Sequence, residues 1–174
     1  MTRAFVGTDA GQRRDGLRFR PVEDGDRPFL HALYAEVRAR EMAPVEWPEA
    51  RKLAFLAEQC DLQHCHYVKN YKGADFLVIE EAGRPIGRIY VYRSPGEIRL
   101  MEVTLVPERR GRGLGEALLR EIMDEARATG AKVTLHVEPE NPAQRLYARL
   151  GFRLIEHRGI YDFLGWDPRE APLS

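Results

Sequence analysis

The sequence predicts an α/β (α+β) chain in which a mixed central β-sheet is flanked by helices. Short apolar runs with a period of two alternate with longer runs whose apolar residues recur every three or four positions. Glycine and proline signals fall between those runs, and no repeat or low-complexity linker divides the 174 residues. The expected order is β-α-α-β-β-β-α-β-α-β-β, within one domain.

Leu17-Arg18-Phe19-Arg20 alternates as a strand does and stops at Pro21. Asp26 then offers an N-cap to a helix that places Leu30, Leu33, Tyr34 and Val37 on one face. After Trp47-Pro48 a long helix carries Leu53, Leu56, Ala57, Cys60, His64, Tyr67 and Tyr71 at helical spacing and ends at Gly73. Residues 75–81 and 85–93 form two β-rich runs joined by Ala82-Gly83-Arg84, short enough for a hairpin, and Ser94-Pro95-Gly96 turns the chain into a third strand over 97–106. Glycines 111, 113 and 115 lead into a helix with Leu114, Leu118, Ile122 and Ala126 on one side, ending near Gly130. A strand over 132–137 follows. Asn141-Pro142 supplies an N-cap and a first-turn proline for a short helix closed by Gly151, and strands over 153–157 and 161–166 flank a turn at Arg158-Gly159.

The 27 basic and 27 acidic side chains cancel. With no block of one sign there is no electrostatic footprint for nucleic acid or an anionic membrane, so neither is an expected partner. Cys60 and Cys65 lie in one expected helix and point in different directions, a usage that fits a reducing compartment. Residues 1–16 hold no apolar stretch of signal-peptide length and read as a flexible basic tail; residues 167–174 read as a second loose end. Apolar runs such as Phe76-Leu77-Val78-Ile79 fall far below the roughly 18 residues of a membrane span. A soluble, cytoplasmic protein is expected.

The most informative stretch is residues 103–119: an apolar strand, a glycine- and arginine-rich loop, and an amphipathic helix. The first N–H groups of a helix have no internal partners, glycine lets a ligand approach them, and the helix dipole favours negative charge there. Arg109, Arg110 and Arg112 can add charge-assisted contacts to phosphate oxygens. The dinucleotide fingerprint fails, because Glu116 stands at its third glycine, and no Gly-Lys-Ser/Thr of an NTPase phosphate loop occurs. An anion loop and an ordinary glycine-rich turn remain.

Arg110-Gly111-Arg112-Gly113-Leu114-Gly115 resembles the pyrophosphate loop of the GNAT acetyltransferase superfamily, [QR]-x-x-G-x-[GA]. Asn141-Pro-Ala-Gln-Arg-Leu-Tyr147-Ala-Arg-Leu-Gly151-Phe152 is similar to that superfamily's downstream block, and Leu17-Arg18-Phe19-Arg20-Pro21 to its opening strand. Arg99-Leu-Met-Glu and the Cys65-His66-Tyr67 helix are like one subgroup, which names no substrate. The resemblance covers residues 17–166 and implies a GNAT domain using acetyl-CoA as co-substrate. It implies that the amides from Arg110 to Gly115 hold the CoA pyrophosphate, that the backbone of Leu105 and Val106 meets the pantetheine arm, and that Asn141 and Tyr147 line the thiol end. The acceptor would be a primary amine of a small molecule or peptide, and a homodimer is allowed.

Aminolysis of a thioester needs a neutral amine, support for the carbonyl oxygen and help for the departing thiolate. A backbone N–H near Val106 is a candidate for the second task. Tyr147 is one for the third, since a phenol of pKa about 10 lies close to a thiol of about 8.5; packing on the core is its other reading. Glu102 interrupts the nearly apolar strand over 100–106, so it is either the group that takes the amine proton or half of an ion pair with Arg38 or Arg88. His136 and Glu138 are rivals for the base. Cys60, His64, Cys65 and His66 project around more than half a helix and do not converge as metal ligands do, so no metal is expected. Two functions stand: an N-acetyltransferase, favoured by Tyr147 and Glu102, and a catalytically silent CoA-binding sensor or scaffold.

Overall fold

In the computed structural model, which describes residues 4–5, 13–14 and 16–171, the period-two segments become strands β1 (Arg13–Arg14), β2 (Leu17–Pro21), β3 (Asp75–Glu81), β4 (Arg84–Ser94), β5 (Glu97–Leu105), β6 (Lys132–Val137), β7 (Arg153–Arg158) and β8 (Tyr161–Trp166). The helical segments become α1 (Arg27–Met42), α2 (Glu49–Asn70), α3 (Leu114–Thr129) and α4 (Ala143–Arg149). The strands form one sheet in the order β1-β2-β3-β4-β5-β6-β8-β7. Among the described residues only β5 and β6 run parallel, joined by the α3 crossover; every other pair is antiparallel.

Alternation along the strands divides the side chains between two faces. One face packs Ile79, Ile89, Val91, Ile98, Leu100, Val133, Leu135 and Leu164 against Leu118, Leu119, Ile122, Met123 and Ala126 of α3 and Tyr147 of α4. Ile122 and Val133 are fully buried, and such side chains contribute about 1.5–3 kcal/mol each. A smaller cluster of Leu30, Tyr34, Leu56 and Cys60 joins α1 to α2. α2 is less buried than its apolar face predicts, with Leu53 half exposed. The facing Ala35 and Ala39 of α1 and Ala43 just after it are too short to cover it, and they leave a cleft of about 360 Å³.

The β3–β4 connection is two residues, Ala82-Gly83, rather than three, and both have positive φ (51° and 77°). That is the conformation of a tight hairpin turn whose twist matches its strands. Asp26 stands at the start of α1 without capping it. Its carboxylate instead accepts two hydrogen bonds from Arg20 (2.7 and 2.8 Å) and one from the Glu23 N–H (2.7 Å), while Arg20 also reaches Glu80 (2.7 Å). A bidentate guanidinium outcompetes a single amide for a carboxylate.

Parts of the expected N-terminal tail are packed. Ala4 and Phe5 are buried, Phe5 lies against Phe19 with centroids 4.8 Å apart, and the Ala4 N–H donates to Glu125 (2.8 Å). Arg13–Arg14 pairs with β2. At the other end Asp167 holds Arg169 (2.8 Å) and Ala171 packs on the core. Residues 1–3, 6–12, 15 and 172–174 lie outside the described residues.

Candidate active site

β5 and β6 pair only from Glu97 to Leu100 against Lys132 to Leu135, yet β5 continues to Leu105 and β6 to Val137. Beyond Leu100 the strands part, and a wedge opens between them with the backbone edge of β5 on one side. A register shift in the β4–β5 ladder pairs Tyr90 with Glu102 and Val91 with Leu100, leaving Met101 as the extra residue of a bulge at the mouth of the wedge. The Val106 N–H donates to the Ile86 carbonyl (2.8 Å), which fixes the phase of the ladder. In that phase Glu102 and Thr104 turn their backbone groups toward β4, and Val103 and Leu105 turn theirs toward the wedge. The expectation for Val106 is therefore corrected: its N–H is committed to Ile86 and its carbonyl to the Arg109 N–H (3.0 Å). The Leu105 carbonyl does face the wedge, where it accepts Arg110 Nε (2.9 Å).

The chain leaves β5 through a turn at Pro107–Arg109 and enters α3 at Leu114. Gly111 (φ 71°) and Gly113 (φ 80°) are left-handed, and a Cβ at either, or at Gly115, would meet no protein atom within 4 Å. Their glycines are thus needed for backbone shape, and the space above them is open. No side chain caps α3, whose first internal bond runs from the Ala117 N–H to the Gly113 carbonyl. The preceding amides form an anion-binding end on a 16-residue helix. Of the three loop arginines, Arg109 is tied to Glu81 and Arg110 to Glu36 of α1, whereas Arg112 is exposed and makes no ion pair among the described residues.

Tyr147 sits in α4 on the far side of the wedge, buried and tilted against Phe152 (5.8 Å). Burial pushes its hydroxyl up to about 12, with the Glu102 carboxylate adding to the shift. It stays protonated across the neutral range, and it is further from a thiol's pKa than its sequence suggests. Asn141 spends its side-chain oxygen on the Ala143 N–H (2.9 Å), which secures the start of α4.

Glu102 joins a polar cluster on the other sheet face, beneath α2. Its Oε1 accepts Gln63 Nε2 and the Tyr67 hydroxyl, both at 3.2 Å, and its Oε2 lies 3.6 Å from Arg88. Arg88 is the ion-pair partner; Arg38 pairs with Glu41 (3.4 Å) and lies over the Tyr34 ring (4.7 Å). Burial opposes the Arg88 charge, but Glu102 and Tyr90 outweigh it and its pKa rises. Burial and Glu102 raise the Tyr67 hydroxyl, and burial raises those of Tyr34 and Tyr90. Burial opposes the Arg38 charge, but Tyr34, Glu41 and Tyr161 of β8 raise its pKa. His136 stacks on Phe163 (4.8 Å) and meets Arg158 at 3.3 Å; burial, Arg99 and Arg158 lower its pKa. Gln63 and Tyr161 carried no sequence signal of a role here. Cys60 is buried, Cys65 exposed, and the His64 ring turns toward Phe76; among the described residues no group of three acidic, His or Cys side chains is placed to hold a metal. No described helix is long and apolar enough to cross a membrane.

The open amides of α3, the unpaired β5 edge and a buried phenol make a donor set that suits a pyrophosphate, an amide-bearing arm and a thiol. Comparison with known proteins identifies the class: residues 30–152 match the model of the acetyltransferase (GNAT) family, and the chain belongs to that family of acyltransferases. It is 37% identical over 95 residues to mycothiol acetyltransferase of Corynebacterium glutamicum, covering 53% of this chain and 32% of that one. It is 34% identical over 116 residues to N-alpha-acetyltransferase RimI of Mycobacterium tuberculosis, covering 66% of each. The chain thus spans about a third of the first relative's length. In fold it is similar to PaiA N-acetyltransferase from Thermoplasma acidophilum, solved with coenzyme A, with a TM-score of 0.64 at 18% identity over 87% of this chain and 98% of that one.

Proposed function

We propose that the protein is an acetyl-CoA-dependent N-acetyltransferase that delivers an acetyl group to a primary amine of a small molecule or peptide by direct attack on the thioester. The observation that carries this reading is the wedge between β5 and β6, with the uncapped α3 N-terminus at one end and Tyr147 and Glu102 toward the other. Bound acetyl-CoA supplies the activated acyl group. The loop amides from Arg110 to Gly115 and the Arg112 side chain would hold its pyrophosphate, and the backbone of Val103 and Leu105 its pantetheine arm.

Glu102 faces the incoming ammonium and takes its proton, directly or through water, so that the nitrogen lone pair is free. The N–C bond forms as the C–S bond breaks, the sulfur leaves as a thiolate, and the second nitrogen proton passes to that thiolate or to water, leaving a neutral amide. Tyr147, still protonated, donates a hydrogen bond to that sulfur. With its pKa at about 12 against about 8.5 for a thiol, the phenol stabilises the leaving group more than it protonates it. A cytoplasmic location and a homodimer accord with this reading, though it depends on neither.

The test is thiol release from acetyl-CoA across polyamines, amino acids, aminoglycosides and peptides, with mass detection of the acetylated amine. Amine-dependent release of one thiol per acetyl group is expected. Cofactor binding with no thiol release for any amine would favour the silent sensor, and thiol release without an acetylated amine would mean hydrolysis in place of transfer.

A further inference from the structure

Beyond Glu102 the same sheet face carries a group of side chains that acetyl transfer does not use. Arg99, His136 and Phe163 lie on the face opposite the core residues Leu100, Leu135 and Leu164, and Arg158 at the end of β7 folds over them. The Arg158 guanidinium sits 3.8 Å from the centre of the Phe163 ring and that of Arg99 5.3 Å from the same ring, with the His136 ring stacked at 4.8 Å. Two cations sharing one phenyl ring concentrate positive potential. His136 registers it: partial burial and then both arginines depress its pKa, and its Nε2 meets Arg158 at 3.3 Å.

Arg99 and Glu102 stand on the same face of β5 across the Met101 bulge, and Tyr161 acts electrostatically on Arg38, Tyr34 and Tyr67 at the Glu102 end. The same sheet face therefore carries the Glu102 carboxylate toward one end and the Arg99 and Arg158 guanidiniums toward the other. Each outer arginine has a carboxylate nearby. Arg158 pairs with Glu156 (2.8 Å), which is 57% exposed, so that pair contributes little and is easily exchanged. Arg99 pairs with Glu97 (2.7 Å), which also accepts from Thr134.

We propose that the acceptor is an amino-carboxylate, its amine directed to Glu102 and its carboxylate held by Arg158 and Arg99 above Phe163. This rests on the N-acetyltransferase reading and narrows it to amines that carry an acid group, as opposed to polyamines. A planar guanidinium matches a carboxylate in a bidentate way, and Glu102 repels the acid end, so the two ends fix one orientation of the substrate.

Matched pairs isolate the carboxylate: ω-amino acids of three to six carbons, each against the primary alkylamine of the same chain length. Thiol release from acetyl-CoA reads turnover, and thermal shift of the protein–CoA complex reads binding without chemistry. The best amino acid should exceed its matched amine by at least about 10-fold in kcat/KM, and raise the melting temperature where the amine does not. Arg158→Gln, on an exposed hairpin where folding is safe, should abolish that advantage while leaving the amine's kinetics and CoA binding unchanged. Equal or better performance of the alkylamines throughout, or an advantage that survives Arg158→Gln, overturns the proposal. If no amine supports release and yet the amino acids bind in an Arg158-dependent way, the anion site stands and the transferase reading fails.

Discussion

Tyr147 packs in the core beside Phe152 and Glu102 lies on the other sheet face beside Arg88, and the proposed transfer gives them different duties. Tyr147→Phe preserves the packing on Phe152 and removes only the hydroxyl, so acetyl-CoA affinity is expected to persist while turnover falls on the order of 10²-fold in rapid-quench measurements. In the proposed transfer Tyr147 acts while protonated, and because its pKa is raised to about 12, the wild-type rate should show no descending limb from this group up to pH 10. Glu102 is both beside the path and beside buried Arg88, so Glu102→Gln is expected to cost about 1–3 kcal/mol in denaturant unfolding as well as turnover. Adding Arg88→Met removes the stranded charge and should recover stability without recovering turnover; recovery of both would return Glu102 to a purely structural ion pair. Glu102 was legible as a charge in an apolar strand, and Arg88 as one of two possible partners. That Gln63 and Tyr67 face it depends on how α2 crosses the sheet, which no local pattern encodes.

The loop and helix that follow β5 were the most legible part of the chain, because glycine spacing and helix periodicity are local properties. Gly113→Val places a β-branched side chain at φ 80°, a strain of about 1–3 kcal/mol, and fills the open space above the α3 amides. The folded protein is expected to persist with a lowered melting temperature, and calorimetric titration should detect no CoA binding. The backbone of Val106 was misassigned for a physical reason: which carbonyls and amides of β5 face the wedge is decided by the phase of its ladder with β4, and the Met101 bulge resets that phase. The α1–α2 cleft escaped notice because Leu53 has the spacing of a buried residue, and only the opposing alanines leave it uncovered.

Element order and sheet composition followed from the sequence because each strand and helix carries its own period and its own turn. Long-range ion pairs did not. Asp26 reads as a helix cap, yet it belongs with Arg20 and Glu80 on three separate elements. The Arg20 guanidinium beside Asp26 holds its carboxyl below the ordinary 3.8, so its stabilisation is fully present above that pH and is lost as pH falls through the depressed folded value. Asp26→Asn should therefore cost about 3 kcal/mol at pH 7, and the gap to wild type should close on acid titration below about pH 4. Everything proposed about chemistry depends on the α3 amides and the β5 edge holding CoA, and a thermal melt tests that directly. At about 100 times its dissociation constant a ligand adds roughly 2.7 kcal/mol, which for a chain of this size raises the melting temperature by about 5–11 °C. A shift of that size with CoA is predicted; an unchanged melting temperature at saturating CoA would contradict the account.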